Sequence, residues 1–151
     1  MFIVLIIFLI LFVIILMNLL RYILIVKPNK VYRDDIQSKI DEVVDDIILE
    51  LIKVYPELKI NKNNLTCKSL DDIWKKRIMV FEYYLKIDSD SINSEELKNY
   101  IKKMVFEKTK NDSVKMAVTD FWINKNKINF DIAYLINEKT KNYVSDIRKT
   151  E

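Results

Sequence analysis

The hydrophobic pattern of the chain begins with an uninterrupted apolar run. Residues 1–17 contain no polar side chain, and the uncharged stretch continues to Leu20. Twenty helical residues at about 1.5 Å each span roughly 30 Å, the thickness of the hydrocarbon core of a bilayer. A core helix of a soluble domain shows a polar face, and this run has none. The pattern therefore predicts a transmembrane anchor over 1–27 and a juxtamembrane linker over 28–33, because Pro28 cannot donate a helical hydrogen bond.

The charges beside this run predict its orientation and its retention. No basic segment precedes it and no small-residue cleavage site follows, which favours an uncleaved anchor over a secretory signal. Its flanking cations all follow it, and positive flanks stay in the cytoplasm. We expect a single-pass protein of the cell membrane, with the lipid bilayer as a partner and the soluble domain in the cytoplasm. The predicted membrane-interface residues are Arg21, Tyr22, Lys27, Lys30 and Arg33.

Helical periodicity recurs along the rest of the chain, which we assign to one soluble domain over 34–151. Apolar residues at three- and four-residue steps predict an amphipathic helix over 34–55. The same spacing over 97–105, preceded by Asn93 as a cap, predicts a second helix. Two short helices are predicted over 69–77 and at the C-terminal end.

Strand patterns fill the intervals between these helices. The nearly continuous apolar run 78–87 predicts a strand buried on both faces. Alternating apolar residues over 114–123 and 128–136 predict a hairpin, whose turn we expect to use Asn in the left-handed conformation. A short strand over 58–61 and a polar loop over 63–68 complete the order. The fold class is therefore α+β, a small and mostly antiparallel sheet packed by helices on one face.

The helix over 34–55 concentrates carboxylates on one side. Asp41 and Asp45, and likewise Glu42 and Asp46, are like-charge pairs one turn apart, each costing a few tenths of a kcal/mol. Such a face is simply solvated, a docking surface for a basic partner, or a loose site for a divalent cation. If it docks, the binding residues are Asp41, Glu42, Asp45 and Asp46.

Composition excludes much familiar chemistry. The chain has no Gly, no His and a single cysteine, Cys67. Phosphate-cradling glycine loops, serine or cysteine triads with a histidine base, and histidine metal sites are therefore excluded. We expect no catalytic residues, no metal site, no cofactor and an inert thiol at Cys67. A net charge of +3 is too small to predict nucleic acid as a partner.

Two carboxylates keep an enzymatic alternative open. Asp120 and Asp131 fall on neighbouring strands of the predicted hairpin, although no lysine stands two residues after Asp131, as one class of metal nucleases requires. The leading interpretation is a membrane-anchored, non-enzymatic interaction module whose partner is a membrane-associated protein. Such a module could be an accessory subunit of a membrane or transport complex, or an immunity or exclusion factor. The alternative is a carboxylate-dependent, metal-assisted hydrolase at the membrane surface.

Overall fold

The computed structural model describes residues 2–70, 77–88 and 93–149 and confirms the α+β class. The chain divides into two compact units, Met1–Asp35 and Ile36–Glu151. The helices are α1 (Phe2–Arg21), α2 (Lys27–Val54), α3 (Ser94–Thr109) and α4 (Glu138–Arg148). The strands are β1 (Thr66–Ser69), β2 (Val80–Lys86), β3 (Met116–Asn124) and β4 (Lys127–Tyr134). Most of the short helix predicted over 69–77 lies outside the described residues.

The first unit contains the apolar helix. None of the 20 residues of α1 is buried, and one helical stretch, Phe2–Val54, contains a window long and apolar enough to cross a membrane. The predicted end of the helix at Lys27 is wrong, since residues 28–33 continue as α2. A π-helical turn, Tyr22–Val26, ends two residues before Pro28, and the Lys27 N–H donates to the Tyr22 carbonyl. This wider turn accommodates a proline that would otherwise interrupt the helical hydrogen bonds.

The sheet has four antiparallel strands in the order β1-β2-β4-β3. The predicted hairpin is confirmed as β3 and β4, and the predicted strand over 78–87 is confirmed as β2. Its predicted burial on both faces is wrong, because Glu82 and Tyr84 are half-buried and Lys86 is exposed. The strand predicted over 58–61 is wrong, because a 3₁₀ turn occupies Pro56–Leu58 and Lys59 is left-handed with φ 47°. The predicted loop over 63–68 is also wrong at its end, where β1 pairs with β2.

The main core lies on one face of the sheet, and the apolar faces of α2 and α3 cover it. The prediction that all helices lie on one face is wrong, because α4 packs on the other face. There Val144 of α4 contacts a small apolar cluster that includes Val80, Ala117 and Ala133. The main core contains, among others, Ile36, Ile40, Val44, Ile47, Leu51, Phe81, Tyr83, Leu85, Leu97, Ile101, Val105, Phe130 and Ile132.

The chain makes tight turns and helix ends without glycine. The hairpin turn is wrongly predicted to place Asn in the left-handed conformation, since Lys125 adopts it with φ 52°. At the end of α3, the Lys115 ammonium donates to the carbonyls of Thr109, Lys110 and Asp112. A lysine side chain thus satisfies carbonyls that a glycine-based cap satisfies in other helices.

Thr140 of α4 is a buried connection between that helix and the sheet. Its hydroxyl accepts from the Met79 N–H at 2.9 Å and donates to Asn137, the N-cap of α4, at 3.0 Å. We expect Thr140→Val to lower the free energy of unfolding by about 1–3 kcal/mol, because the Met79 N–H loses its buried acceptor. Denaturant unfolding measures this, and Thr140→Ser, which keeps the hydroxyl, is the matched control. A Thr140→Val domain as stable as the original would contradict the assigned role.

Candidate functional site

The acidic face of α2 is largely engaged within the fold. Asp45 pairs with Lys62 at 2.8 Å. Lys108 of α3 lies between Asp46, at 3.2 Å, and Glu50, at 2.9 Å, and hydrogen bonds to these two carboxylates raise its pKa. Exposed pairs of this kind contribute about 1 kcal/mol or less each. Their clearer consequence is that these carboxylates already have cationic partners in the domain.

Asp41 belongs to a second internal contact, beneath β1 and β2. The hydroxyl of the fully buried Tyr83 donates to Asp41 at 2.6 Å. Burial raises the pKa of the adjacent Cys67 thiol to about 11, so the thiol is protonated at neutral pH, as expected for an inert cysteine. Of the four predicted docking carboxylates, only Glu42 is exposed without a partner among the described residues. The docking role of this face stays a prediction.

A different acidic cluster lies on the sheet face that α2 and α3 leave uncovered. Asp131 of β4 is the direct cross-strand partner of Glu82 on β2 and of Asp120 on β3. Directly opposed side chains on adjacent strands share a face, with Cβ atoms about 5 Å apart. The two predicted candidates are thus brought together, and the third carboxylate, Glu82, is one that the sequence analysis missed. We call these three residues the carboxylate row.

A β-bulge creates this arrangement. The register of β3 shifts between Val118 and Asp120, so Thr119 is an extra residue in the pairing with β4. Without that shift, Asp120 would oppose Phe130 and point into the core, because one residue of slip moves a side chain to the other face. The bulge therefore places Asp120 beside Asp131.

The carboxylate row is electrostatically unusual. The Asp131 side chain is almost fully covered, with 6% exposure, and its Oδ1 atom has no hydrogen-bond partner among the described residues. Burial, then Glu82 and Asp120, raise the pKa of Asp131 to about 7. Burial and the neighbouring Glu82 also raise the pKa of Tyr84 to about 12. The row therefore holds one carboxyl close to its midpoint of ionisation at neutral pH.

Along the strands, the surface beside the row changes from acidic to aromatic and then to basic side chains. The next cross-strand set joins Tyr84, Asn129 and Trp122, and the set after it joins Lys86, Lys127 and Asn124. A recess of about 720 Å³ lies over this part of the sheet. The recess extends from Glu82, past the half-buried rings of Tyr84 and Trp122, to an edge that carries Lys86 and Lys127. Its lining residues are Glu82, Tyr84, Lys86, Trp122, Asn124, Lys125, Asn126, Lys127 and Asn129.

The predicted membrane-interface residues all lie on helical backbone. Arg21 ends α1, Tyr22 begins the π-helical turn, and Lys27, Lys30 and Arg33 belong to the first part of α2. Four of them are exposed, whereas the Arg33 side chain is 19% exposed and lies 4.0 Å from Asp34. Their contact with a membrane interface stays a prediction.

The acidic clusters of the described residues lack metal-ligand geometry. Within residues 2–70, 77–88 and 93–149, no group of three or more His, Cys, Asp or Glu side chains is arranged to hold a metal ion. The carboxylate row lines up across the sheet and does not converge on one point.

Comparison with known proteins assigns no family. No protein-family model matches the chain, and no curated protein or solved structure matches it.

Proposed function

We propose that this chain is a single-pass membrane protein whose second unit is a non-enzymatic interaction module. The observation that carries the proposal is α1, whose 20 residues are all exposed and carry no charge before Arg21. An exposed apolar surface of this extent calls for lipid or protein to cover it. Because the cations follow the apolar run, we place the module in the cytoplasm.

Tethering gives such a module its functional advantage. A domain attached to the membrane meets membrane-associated partners at a high effective concentration, so a weak intrinsic affinity is sufficient. This suits an accessory subunit of a membrane or transport complex, or an immunity or exclusion factor that blocks one. The partner is a membrane-associated protein.

The orientation is testable with one introduced cysteine. Glu57 is exposed in the turn Pro56–Leu58, and Cys67→Ser removes the only native thiol. In the Cys67→Ser, Glu57→Cys chain, we expect a membrane-impermeant maleimide to label permeabilised cells and leave intact cells unlabelled. Equal labelling of intact cells would place the module outside.

The interaction role is testable by exchanging the anchor. Chemical crosslinking in native membranes is expected to give the same adducts when residues 1–27 are replaced by an unrelated single-span helix. The adducts should disappear when residues 1–27 are deleted. Adducts that persist without any anchor would exclude tethering as the mechanism, and their loss on exchange would assign the contact to the anchor helix itself.

The carboxylate row favours one second candidate, a carboxylate-dependent hydrolase. A carboxyl that holds its proton near neutral pH beside other carboxylates is the pairing that general acid–base hydrolysis uses. The double variant Asp120→Asn, Asp131→Asn tests the hydrolase directly, because it removes the acid pair and leaves α2 unchanged. Intact cellular function in this variant would exclude the hydrolase.

A further inference from the structure

The carboxylate row carries an electrostatic cost that no lysine or arginine among the described residues relieves, although the Phe121 N–H donates to Asp120 at 2.7 Å. Like charges directly opposite each other on adjacent strands are destabilising. Among the described residues, none of the three carboxylates forms an ion pair with a lysine or arginine, in contrast to those on α2. Within residues 2–70, 77–88 and 93–149, the row is therefore an anionic feature without a counter-charge.

Asp131 adds an independent observation. A carboxylate oxygen that is buried without a donor costs about 1–3 kcal/mol or more, which natural proteins rarely leave unrelieved. The Asp131 Oδ1 atom finds no donor in the part of the chain that the structure describes, and it belongs to a residue more than nine-tenths buried within the row. The missing element is a hydrogen-bond donor, and the charges on both sides favour one that is positively charged.

The rings beside the row indicate which cation fits. Tyr84 and Trp122 occupy the adjacent cross-strand set, and both are half-buried, so each ring keeps an accessible part. A flat guanidinium stacks on aromatic rings and also donates two parallel hydrogen bonds to a carboxylate. A lysine ammonium also supplies a positive charge, but it is not planar and cannot stack on the rings while donating two parallel hydrogen bonds.

The opposite end of the recess restricts the partner further. Lys86 and Lys127 lie four residues along their strands from Glu82 and Asp131, a distance of roughly 13 Å at the rise of a β-strand. A single cation at the row leaves these lysines free for an acidic group. An extended segment with an arginine and, four residues on, a glutamate or aspartate matches both ends.

We propose that the carboxylate row is the docking site for an arginine side chain of the partner protein, presented on an extended segment whose acidic residue contacts Lys86 and Lys127. The proposal rests on the interaction module proposed above and names the chemistry of its partner. The guanidinium supplies the donor that Asp131 lacks, and Tyr84 and Trp122 stack against it. Glu82 and Asp120 flank Asp131 and add to the negative potential that attracts the guanidinium.

The probe is the blocked peptide acetyl-Arg-Thr-Ser-Thr-Glu-amide, with citrulline as the neutral replacement for arginine. The full chain is held in lipid nanodiscs in a Trp74→Phe background, which leaves Trp122 as the one tryptophan. We expect saturable quenching of Trp122 by the arginine peptide and at least tenfold weaker binding of the citrulline peptide. Asp131→Asn should weaken arginine binding about tenfold, whereas Glu57→Gln, at an exposed carboxylate in the Pro56–Leu58 turn, should not change it.

The pH dependence gives a second readout. Titratable side chains of three elements surround Asp131. They include Glu82 on β2, Asp120 on β3 and Tyr143 on α4. Because the Asp131 proton must leave before the guanidinium binds at full strength, we expect binding to tighten from pH 6 to pH 8. The Asp131→Asn variant should lose that dependence.

Several outcomes of these experiments would contradict a specific part of the proposal. Equal binding of both peptides, or unchanged binding in a folded Asp131→Asn chain, would overturn the site. If Asp131→Asn does not fold, Glu82→Gln replaces it, with the same expected direction. Equal affinity for arginine amide alone would overturn the extended segment. Absence of all peptide binding, while the crosslinked adducts persist, would overturn this inference and leave the proposed function standing.

Discussion

The triple substitution Leu9→Asp, Val13→Asp, Leu16→Asp is expected to move the chain from the membrane fraction to the soluble fraction. All three positions lie in the exposed apolar helix α1. An aspartate near the centre of a membrane helix costs about 3 kcal/mol, and each substitution also removes an apolar side chain that contributes about 0.5 kcal/mol. The combined cost of about 10 kcal/mol is comparable with the whole insertion free energy of twenty apolar residues.

Alkaline carbonate extraction of membranes measures this effect. The original chain should remain in the pellet and the triple aspartate chain in the supernatant. The matched control, with alanine at the same three positions, keeps the helix uncharged and should stay in the pellet. An original chain extracted by carbonate, or a triple aspartate chain retained as tightly as the control, would contradict a membrane-spanning role for α1.

The second large effect concerns pH. The pKa of Asp131 is about 7 in the folded chain, against an ordinary value of 3.8, so between these values the folded state holds a proton that the unfolded chain releases. The free energy of unfolding must then fall as pH rises from about 4 through 7. At 1.36 kcal/mol per pKa unit, the loss approaches about 4 kcal/mol above pH 7.

Asp131→Asn is expected to remove most of this fall and to stabilise the domain at pH 8 by about 1–3 kcal/mol. Asparagine has the same shape as aspartate but cannot ionise, so its burial carries no charge penalty. Denaturant unfolding at pH 5 and pH 8 measures the difference, with Glu57→Gln as the exposed-carboxylate control. Parallel pH profiles for Asp131→Asn and the original chain would show that Asp131 does not ionise in this range.

Much of the fold follows from local patterns. The helix over Ser94–Thr109 is predictable because its apolar residues repeat every three or four positions and Asn93 accepts from the N–H groups of Glu95 and Glu96. The hairpin is predictable because its strands alternate and lie next to each other in the chain. In both cases the stabilising partners are near in sequence.

Features that depend on distant partners could not be predicted in the same way. β1 has one buried residue in its four and is held by its pairing with β2. The π-helical turn before Pro28 is similar, since a proline in the sequence marks a helix end unless the backbone widens beside it. Ion pairs between α2 and Lys108 also need the packed fold before they exist.

The carboxylate row was only half predictable, although the sequence does contain a signal for it. Apolar residues alternate through Met116 and Val118 and then resume at Phe121 and Ile123, so the phase slips by one residue. That slip indicates the bulge that turns Asp120 toward Asp131. A second signal is Glu82, an acidic residue in an otherwise apolar stretch, which marks the open face of β2.

The most direct test of docking at the carboxylate row is the ionisation of Asp131 in the full chain, held in lipid nanodiscs. Carbon-13 NMR of labelled aspartate side chains, assigned with Asp131→Asn, follows this carboxyl with pH. We predict a pKa near 7 for the free chain, and about 6 or below with the arginine peptide, because a tenfold preference for the ionised carboxylate lowers the pKa by about one unit. The citrulline peptide should leave it unchanged. The same Asp131 pKa with and without saturating arginine peptide would contradict the docking site.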